Sequence, residues 1–231
     1  MLTQGQDERT VIQGIMASAE YFGSAHRVLW LEGVYRDVLH RGGDTVGDLG
    51  SWLAALHLSH DRTALAKSIL TSTEAENLTV RSLYQHLLGR KPDASGLSAY
   101  VHLLDADGHA TTLITSLVTS TEYYNLHGAN TSLWIRALYQ DLLNRGASDL
   151  EVQFWINKMN NGETRAQVAA DFTATLEYQR DFVGGLFLSY LRRQPTTLDL
   201  SQNVTQVQGG ASDATLAAAL LGSPEYFALN G

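Results

Sequence analysis

Cysteine is absent from this chain of 231 residues, which excludes disulfides, thiolate metal sites and a cysteine nucleophile. That absence fits either redox compartment and removes only the disulfide-stapled secreted class. No segment approaches the roughly 20 continuous apolar residues of a membrane span. The net charge of -8 is moderate, and acids and bases are interspersed, which argues against a nucleic-acid groove or an anionic-membrane patch. Catalytic signatures are missing too, with no nucleophile elbow, no H-E-x-x-H and no phosphate loop. The opening MLTQGQDERT lacks a basic stretch followed by an apolar run, so it does not read as a signal peptide. What is present is 44% hydrophobic residues, enough for one or two ordinary cores.

Above all, the sequence repeats itself. Tyr35, Tyr84, Tyr139 and Phe187 open the phrases YRDVLHR, YQHLLGR, YQDLLNR and FLSYLRR. A second phrase, small residue-x-Glu-aromatic, recurs as SAEY, STEA, STEY, TLEY and SPEY, around Glu20, Glu74, Glu122, Glu177 and Glu225. From each first-phrase aromatic to the next Glu the distance is 39, 38, 38 and 38 residues, so the body of the repeat is fixed. From each Glu to the following aromatic it is 15, 10, 17 and 10, so long and short connectors alternate and the repeats come in pairs. The larger period is close to 103 residues, with Trp30 recurring as Trp134, Pro92 as Pro195 and Glu122 as Glu225. Self-similarity at fixed spacing argues for scaffold or binding use over a single buried active site.

Each repeat reads as three helices. The first carries Leu29, Trp30, Val34, Tyr35, Val38 and Leu39 in the first copy and Val80, Leu83, Tyr84, Leu87 and Leu88 in the second, spacings that form one apolar stripe. It ends near the recurring Arg, where Asp44, Asp93, Asp149 and Asp199 read as N-caps of a second, short helix. That helix is weakest in the fourth copy, where only Val204 and Val207 are apolar. A Gly-bearing turn then leads to the third helix, which closes on the Ser-x-Glu phrase, itself a helix-start signature in Ser223-Pro224-Glu225. Residues 1–25 carry the same third-helix pattern in Val11, Ile12, Ile15 and Met16 before SAEY. They read as the tail of a repeat whose first two helices lie upstream, in a longer array.

Residues 136–179 (RALYQDLLNRGASDLEVQFWINKMNNGETRAQVAADFTATLEYQ) and 81–125 (RSLYQHLLGRKPDASGLSAYVHLLDADGHATTLITSLVTSTEYYN) resemble the bacterial repeat known as domain of unknown function 4214. Its pattern is LYxxLLgRxPDxxGlxyW, a Gly turn, then SxEy. More distantly, the phrases are similar to the phycobilisome linker domain, which organises cyanobacterial light-harvesting antennae. In the fourth copy Phe187 replaces Tyr, and in the first Ala75 replaces the aromatic. The first resemblance implies a module of a large secreted or surface-attached bacterial protein, often beside calcium-binding or adhesin-like modules, and brings no catalytic residues with it.

The recurring arginines (Arg41, Arg90, Arg145, Arg193) and glutamates (Glu74, Glu122, Glu177, Glu225) are read as structural. A side chain needed in every copy serves packing, and at least two Arg–Glu or Arg–backbone contacts between neighbouring turns are expected. DADGHA, residues 105–110, resembles part of a calcium loop but lacks the distal bidentate Glu, so it reads as a helix-ending turn. His57 and His60 could share a helix face as zinc ligands would, yet no carboxylate or thiolate stands at ligand spacing, and they read as surface residues. Trp30, Tyr35, Trp52, Tyr84, Tyr100, Trp134, Tyr139 and Trp155 could line a sugar groove, but they fall on the apolar stripes and read as core. Tyr123, Tyr124 and Tyr178, near the connectors, are expected at the surface.

The expected fold is all-α, with about 12 helices in four three-helix repeats paired into two lobes. The lobes are placed at residues 26–127 and 128–231, with a boundary at Gly128–Asn130 and residues 1–25 on the first lobe. The expected function is a non-enzymatic structural or interaction module of a larger extracellular or cell-surface bacterial protein, acting as scaffold, spacer or assembly domain. It would need no metal or cofactor, and its partners would be other protein modules or surface components. The alternative is a glycan- or peptide-binding module that uses a groove between lobes. Discriminating between them are a concave pocket with exposed aromatics on one side and adhesive ends on the other.

Overall fold

The phrase that closes each repeat is also the start of the next helix. In a computed structural model, which describes residues 19–43 and 48–230, the described chain is all-helical and contains no strand. Ser72, Ser120, Thr175 and Ser223 each accept from the backbone N–H three residues on, so a hydroxyl satisfies one of the otherwise orphaned first-turn amides. Where the connector is short the new helix runs on unbroken into the Tyr phrase. Where it is longest, the chain turns at Gly128 (φ 79°) and Ala129 (φ 49°) before starting again.

The helices in chain order are α1 (Ala19–Val34, wound on as a π turn over Tyr35–Leu39), α2 (Asp48–Ser59), α3 (Arg62–Leu70) and α4 (Thr73–Leu88). Then follow α5 (Ala94–Asp107), α6 (Ala110–Thr119), α7 (Thr121–Leu126), α8 (Thr131–Leu143), α9 (Asp149–Asn160) and α10 (Arg165–Thr173). Last come α11 (Leu176–Leu186, with a π turn over Phe187–Leu191), α12 (Thr197–Gln208), α13 (Asp213–Leu221) and α14 (Pro224–Asn230). The expectations for residues 1–18, for Asp44 and for the Glu20 side chain lie outside what is described. The weak fourth-copy helix does form, as α12, with Val204 buried.

Two N-cap expectations are corrected. Asp93 caps α5 as expected, but α9 is capped by Ser148 and α12 by Thr196. In both, the acid three residues on, Glu151 or Asp199, reaches back to the cap backbone N–H and completes a capping box. An available hydroxyl ahead of the first turn displaces Asp149 to the first helical position and Asp199 to the third. Leu29, expected on the apolar stripe, is exposed.

The apolar side chains gather into two clusters. One is built from Val80 to Tyr178 and includes Tyr84, Trp134, Tyr139, Trp155 and Phe172. The other joins Trp30–Ala75 to Val183–Tyr226, bringing the first and fourth repeats together. These clusters cut across the expected lobes: Gly128–Asn130 lies inside the first cluster, with Tyr123 and Trp134 buried on either side of it. The pairing is therefore second repeat with third and fourth with first, seen also in α6 against α10 and α3 against α13.

The two junctions use the same atoms. Trp134 Nε1 donates to the Val118 carbonyl at 2.7 Å, and Trp30 Nε1 donates to the Leu221 carbonyl at 2.8 Å. Tyr123 donates to Asp141 at 2.7 Å, and Tyr226 donates to Asp37 at 2.8 Å. Each of these four residues maps onto its counterpart by the 103–104-residue period, so the chain closes as a pseudo-twofold ring of repeats. Tyr123 and Tyr178 are accordingly buried rather than exposed, and Tyr124 is half-buried. Ala75, Tyr123, Tyr178 and Tyr226, each the third residue of its Ser-x-Glu helix, all point inward.

Candidate functional site

The residue before the last in each Tyr phrase is left-handed: His40 (φ 54°), Gly89 (φ 66°), Asn144 (φ 50°) and Arg192 (φ 57°). That reversal folds the next residue, the recurring arginine, back across its own helix. Its guanidinium then lies over the aromatic that opened the phrase, with Arg41 over Tyr35 at 5.2 Å, Arg90 over Tyr84 at 5.2 Å, Arg145 over Tyr139 at 4.7 Å and Arg193 over Phe187 at 5.0 Å. The face of the ring is what matters, which is why Phe187 can stand for Tyr.

The other edge of each guanidinium forks onto a glutamate. Arg41–Glu74, Arg90–Glu122, Arg145–Glu177 and Arg193–Glu225 are all bidentate, with donor–acceptor distances of 2.5–2.9 Å. Each arginine also donates to the carbonyl of the next residue, at 3.0–3.1 Å. In the third and fourth repeats a further carboxylate joins, Glu151 to Arg145 and Asp199 to Arg193. The hydrogen bonds from arginine hold Glu122 and Glu225 below the usual carboxylate range, and bonds from Arg145 and Ser148 take Glu151 down to about 2. All the sequence-derived positions, Tyr35, Tyr84, Tyr139, Phe187, the arginines and the glutamates, thus come together as four clamps. They tie the end of each first helix to the start of the next Ser-x-Glu helix.

Two grooves lie between the paired halves. The larger, about 990 Å³, is lined by Leu78, Leu83, Ile114, Phe182 and Tyr190, with Arg36, Arg81, Lys91 and Arg192 around it and Asp37 as its one carboxylate. The second, about 610 Å³, shares Leu83, Ile114 and Phe182 with it, and carries Asp141, Asp181 and Arg180. A groove between lobes was the alternative expectation from the sequence, but the residues that line these two were not foreseen, because their walls come from three repeats at once. The aromatics weighed as sugar platforms are elsewhere: Trp30, Trp134, Tyr35, Tyr84, Tyr139 and Trp155 are buried, and Trp52 and Tyr100 are partly buried against the clusters.

One buried carboxyl, that of Glu76, was not singled out from the sequence; it lies beside the exposed Asp105. Glu76 is 6% exposed, its Oε2 has no hydrogen-bond partner, and burial together with the neighbouring Asp105 charge pushes its carboxyl up to about 7. The counterpart pair one period on is neutral: Gln208 donates to Gln179 at 3.1 Å. Gly108, within DADGHA, is the left-handed cap of α5 (φ 69°). His57 and His60 are exposed with ring centroids 6.2 Å apart, and no cluster of three or more metal-ligating side chains occurs among the described residues. No helix among the described residues is long and apolar enough to cross a membrane.

Residues 80–127 and 114–182 match the family described as Domain of unknown function (DUF4214). The middle of this chain is similar to that domain. The two matched segments overlap across α6 and α7, and together they cover the second and third repeats, which share one apolar cluster. No curated protein and no solved structure matches the chain.

Proposed function

We propose that this protein is a non-enzymatic structural and interaction module, acting as a scaffold or assembly domain within a larger secreted or surface-attached bacterial protein. The placement outside the cell rests on the DUF4214 resemblance alone. The assembly reading rests on a pair of apolar patches related by the pseudo-twofold. At the junction of the second and third repeats Leu126 and Leu133 are 56% and 50% exposed. At the junction of the fourth and first, their counterparts Leu229 and Leu29 are 51% and 49% exposed. Four large aliphatic side chains left out of the core at equivalent places, beside buried neighbours, suit contact with other protein modules at two faces of one ring.

Light scattering across a concentration series tests this. Association that rises with concentration and disappears in Leu29→Asp with Leu133→Asp, at unchanged thermal stability, is the expected result. A monomer at every concentration that also fails to pair with a neighbouring module of the same protein would overturn the reading. The second reading, a ligand-binding module, is favoured by the groove of about 990 Å³ between the halves.

A further inference from the structure

The pseudo-twofold supplies an internal control for the larger groove. Packing demands fall equally on both members of an equivalent pair, so residues that the scaffold needs should agree between the two grooves. The clamps do agree. The charged lining of the larger groove does not. Arg36 follows Tyr35 where Gln140 follows Tyr139. Arg81 precedes Tyr84 by the same three positions as Gly184 precedes Phe187. Lys91 follows Tyr84 by the same seven as Gln194 follows Phe187. Arg192 answers to Gly89 at the left-handed position. At all four places a cation on one side faces a neutral residue on the other, although the chain as a whole carries a net charge of -8.

Two of these cations are already engaged within the fold, Arg36 also donating to Asn230, and two are not. Arg36 and Arg192 converge on one carboxylate, Asp37, at 3.3 and 2.7 Å, and Asp37 also accepts from Tyr226. Arg81 and Lys91 are exposed and make no side-chain hydrogen bond or ion pair among the described residues. Arg192 additionally takes a left-handed backbone (φ 57°) that glycine fills in the second repeat, a conformation a long side chain adopts at some cost. Between the cations runs an apolar floor of Leu78, Leu83, Ile114, Phe182 and Tyr190. A concave wall of that kind with cations at its edges matches a molecule whose body offers apolar faces and whose periphery carries several anionic groups.

We infer that this groove is a binding site for an organic polyanion, a compact molecule bearing several carboxylate, sulfate or phosphate groups, held by Arg81 and Lys91 with Arg36 and Arg192. The site is independent of the assembly reading and can fail with that reading intact. Two probes separate the sources of anionic charge: inositol hexakisphosphate for phosphate and a linear trigalacturonate for sugar carboxylate. Calorimetric titration at low salt, repeated at physiological ionic strength, should show saturable one-to-one binding of at least one probe, weakening as salt rises.

Replacing Arg81→Gln together with Lys91→Gln should lower that affinity by roughly tenfold or more, since two charge-assisted contacts are lost. Arg180→Gln, in the counterpart groove, should leave it unchanged. Both variants are surface changes, and their helicity and melting temperature are read alongside. Binding of one probe only identifies which anionic group the groove takes. If neither probe binds saturably, or if the double variant binds as well as the parent, or if Arg180→Gln weakens binding equally, the assignment is wrong.

Discussion

Arg145 shows what a single residue contributes in this architecture. Its guanidinium meets a ring face, two carboxylates and a backbone carbonyl, and a lysine in its place could reach only one of the carboxylates. The clamp is partly exposed, so solvent screens it and the whole effect is modest. Arg145→Lys should destabilise by about 1 kcal/mol, and a double-mutant cycle with Glu177→Gln in urea unfolding should return a coupling of similar size. These positions were legible in the sequence because each recurs in every copy. Glu76 was not legible, because its partner Asp105 is distant in sequence and its own repeat counterpart is Gln179.

Its pH behaviour follows from the direction of the shift. Glu76 keeps its proton in the folded state up to about 7, against 4.5 for an ordinary glutamate, so its contribution is complete below about 4.5 and is lost as pH rises through about 7. Compared with Glu76→Gln plus Asp105→Gln, the parent should lose about 2 kcal/mol of stability between those limits. Equal pH profiles for the two proteins in urea titrations would show that the carboxyl pair is not coupled to folding.

At the level of elements, the helix starts decide the details. Ser148 and Thr196 occupy caps that the neighbouring aspartates were expected to fill, and in each case the deciding factor is a hydroxyl placed three residues ahead of an acid. Ser148→Ala should cost about 1 kcal/mol in chemical denaturation, whereas Asp149→Ala, one position inside the helix and exposed, should cost less than half of that. Composition showed where helices begin to within a turn; which side chain caps them depended on a competition that spacing alone does not rank. The inward turn of Tyr123 and Tyr226 was hidden for a related reason. Their hydroxyls are satisfied by Asp141 and Asp37, which lie 18 and 189 residues away in the chain.

Across the whole molecule, the period near 103 residues was visible from the start, but the partnership of repeats was not. Neighbours in sequence suggested a first half and a second half. Burial instead joins second to third and fourth to first, since the Trp30 indole finds its acceptor 191 residues away, at Leu221. A pairing that closes the chain on itself leaves no local signature, only the equivalence of Trp30 with Trp134 and of Leu221 with Val118. Closure also places three repeats around each groove, which is why the groove residues are scattered through the sequence.

That closure is the claim on which the junction patches and the paired grooves both depend, and the absence of cysteine makes it directly testable. Arg36 and Asn230 meet across the closing junction, with the guanidinium donating to the amide oxygen at 2.5 Å. A chain carrying Arg36→Cys and Asn230→Cys, treated in dilute solution with a short bismaleimide, should form a single link within one chain, mapped by peptide mass. Links found only between chains, or none at all while the singly substituted controls react, would contradict a ring and require an open array of repeats.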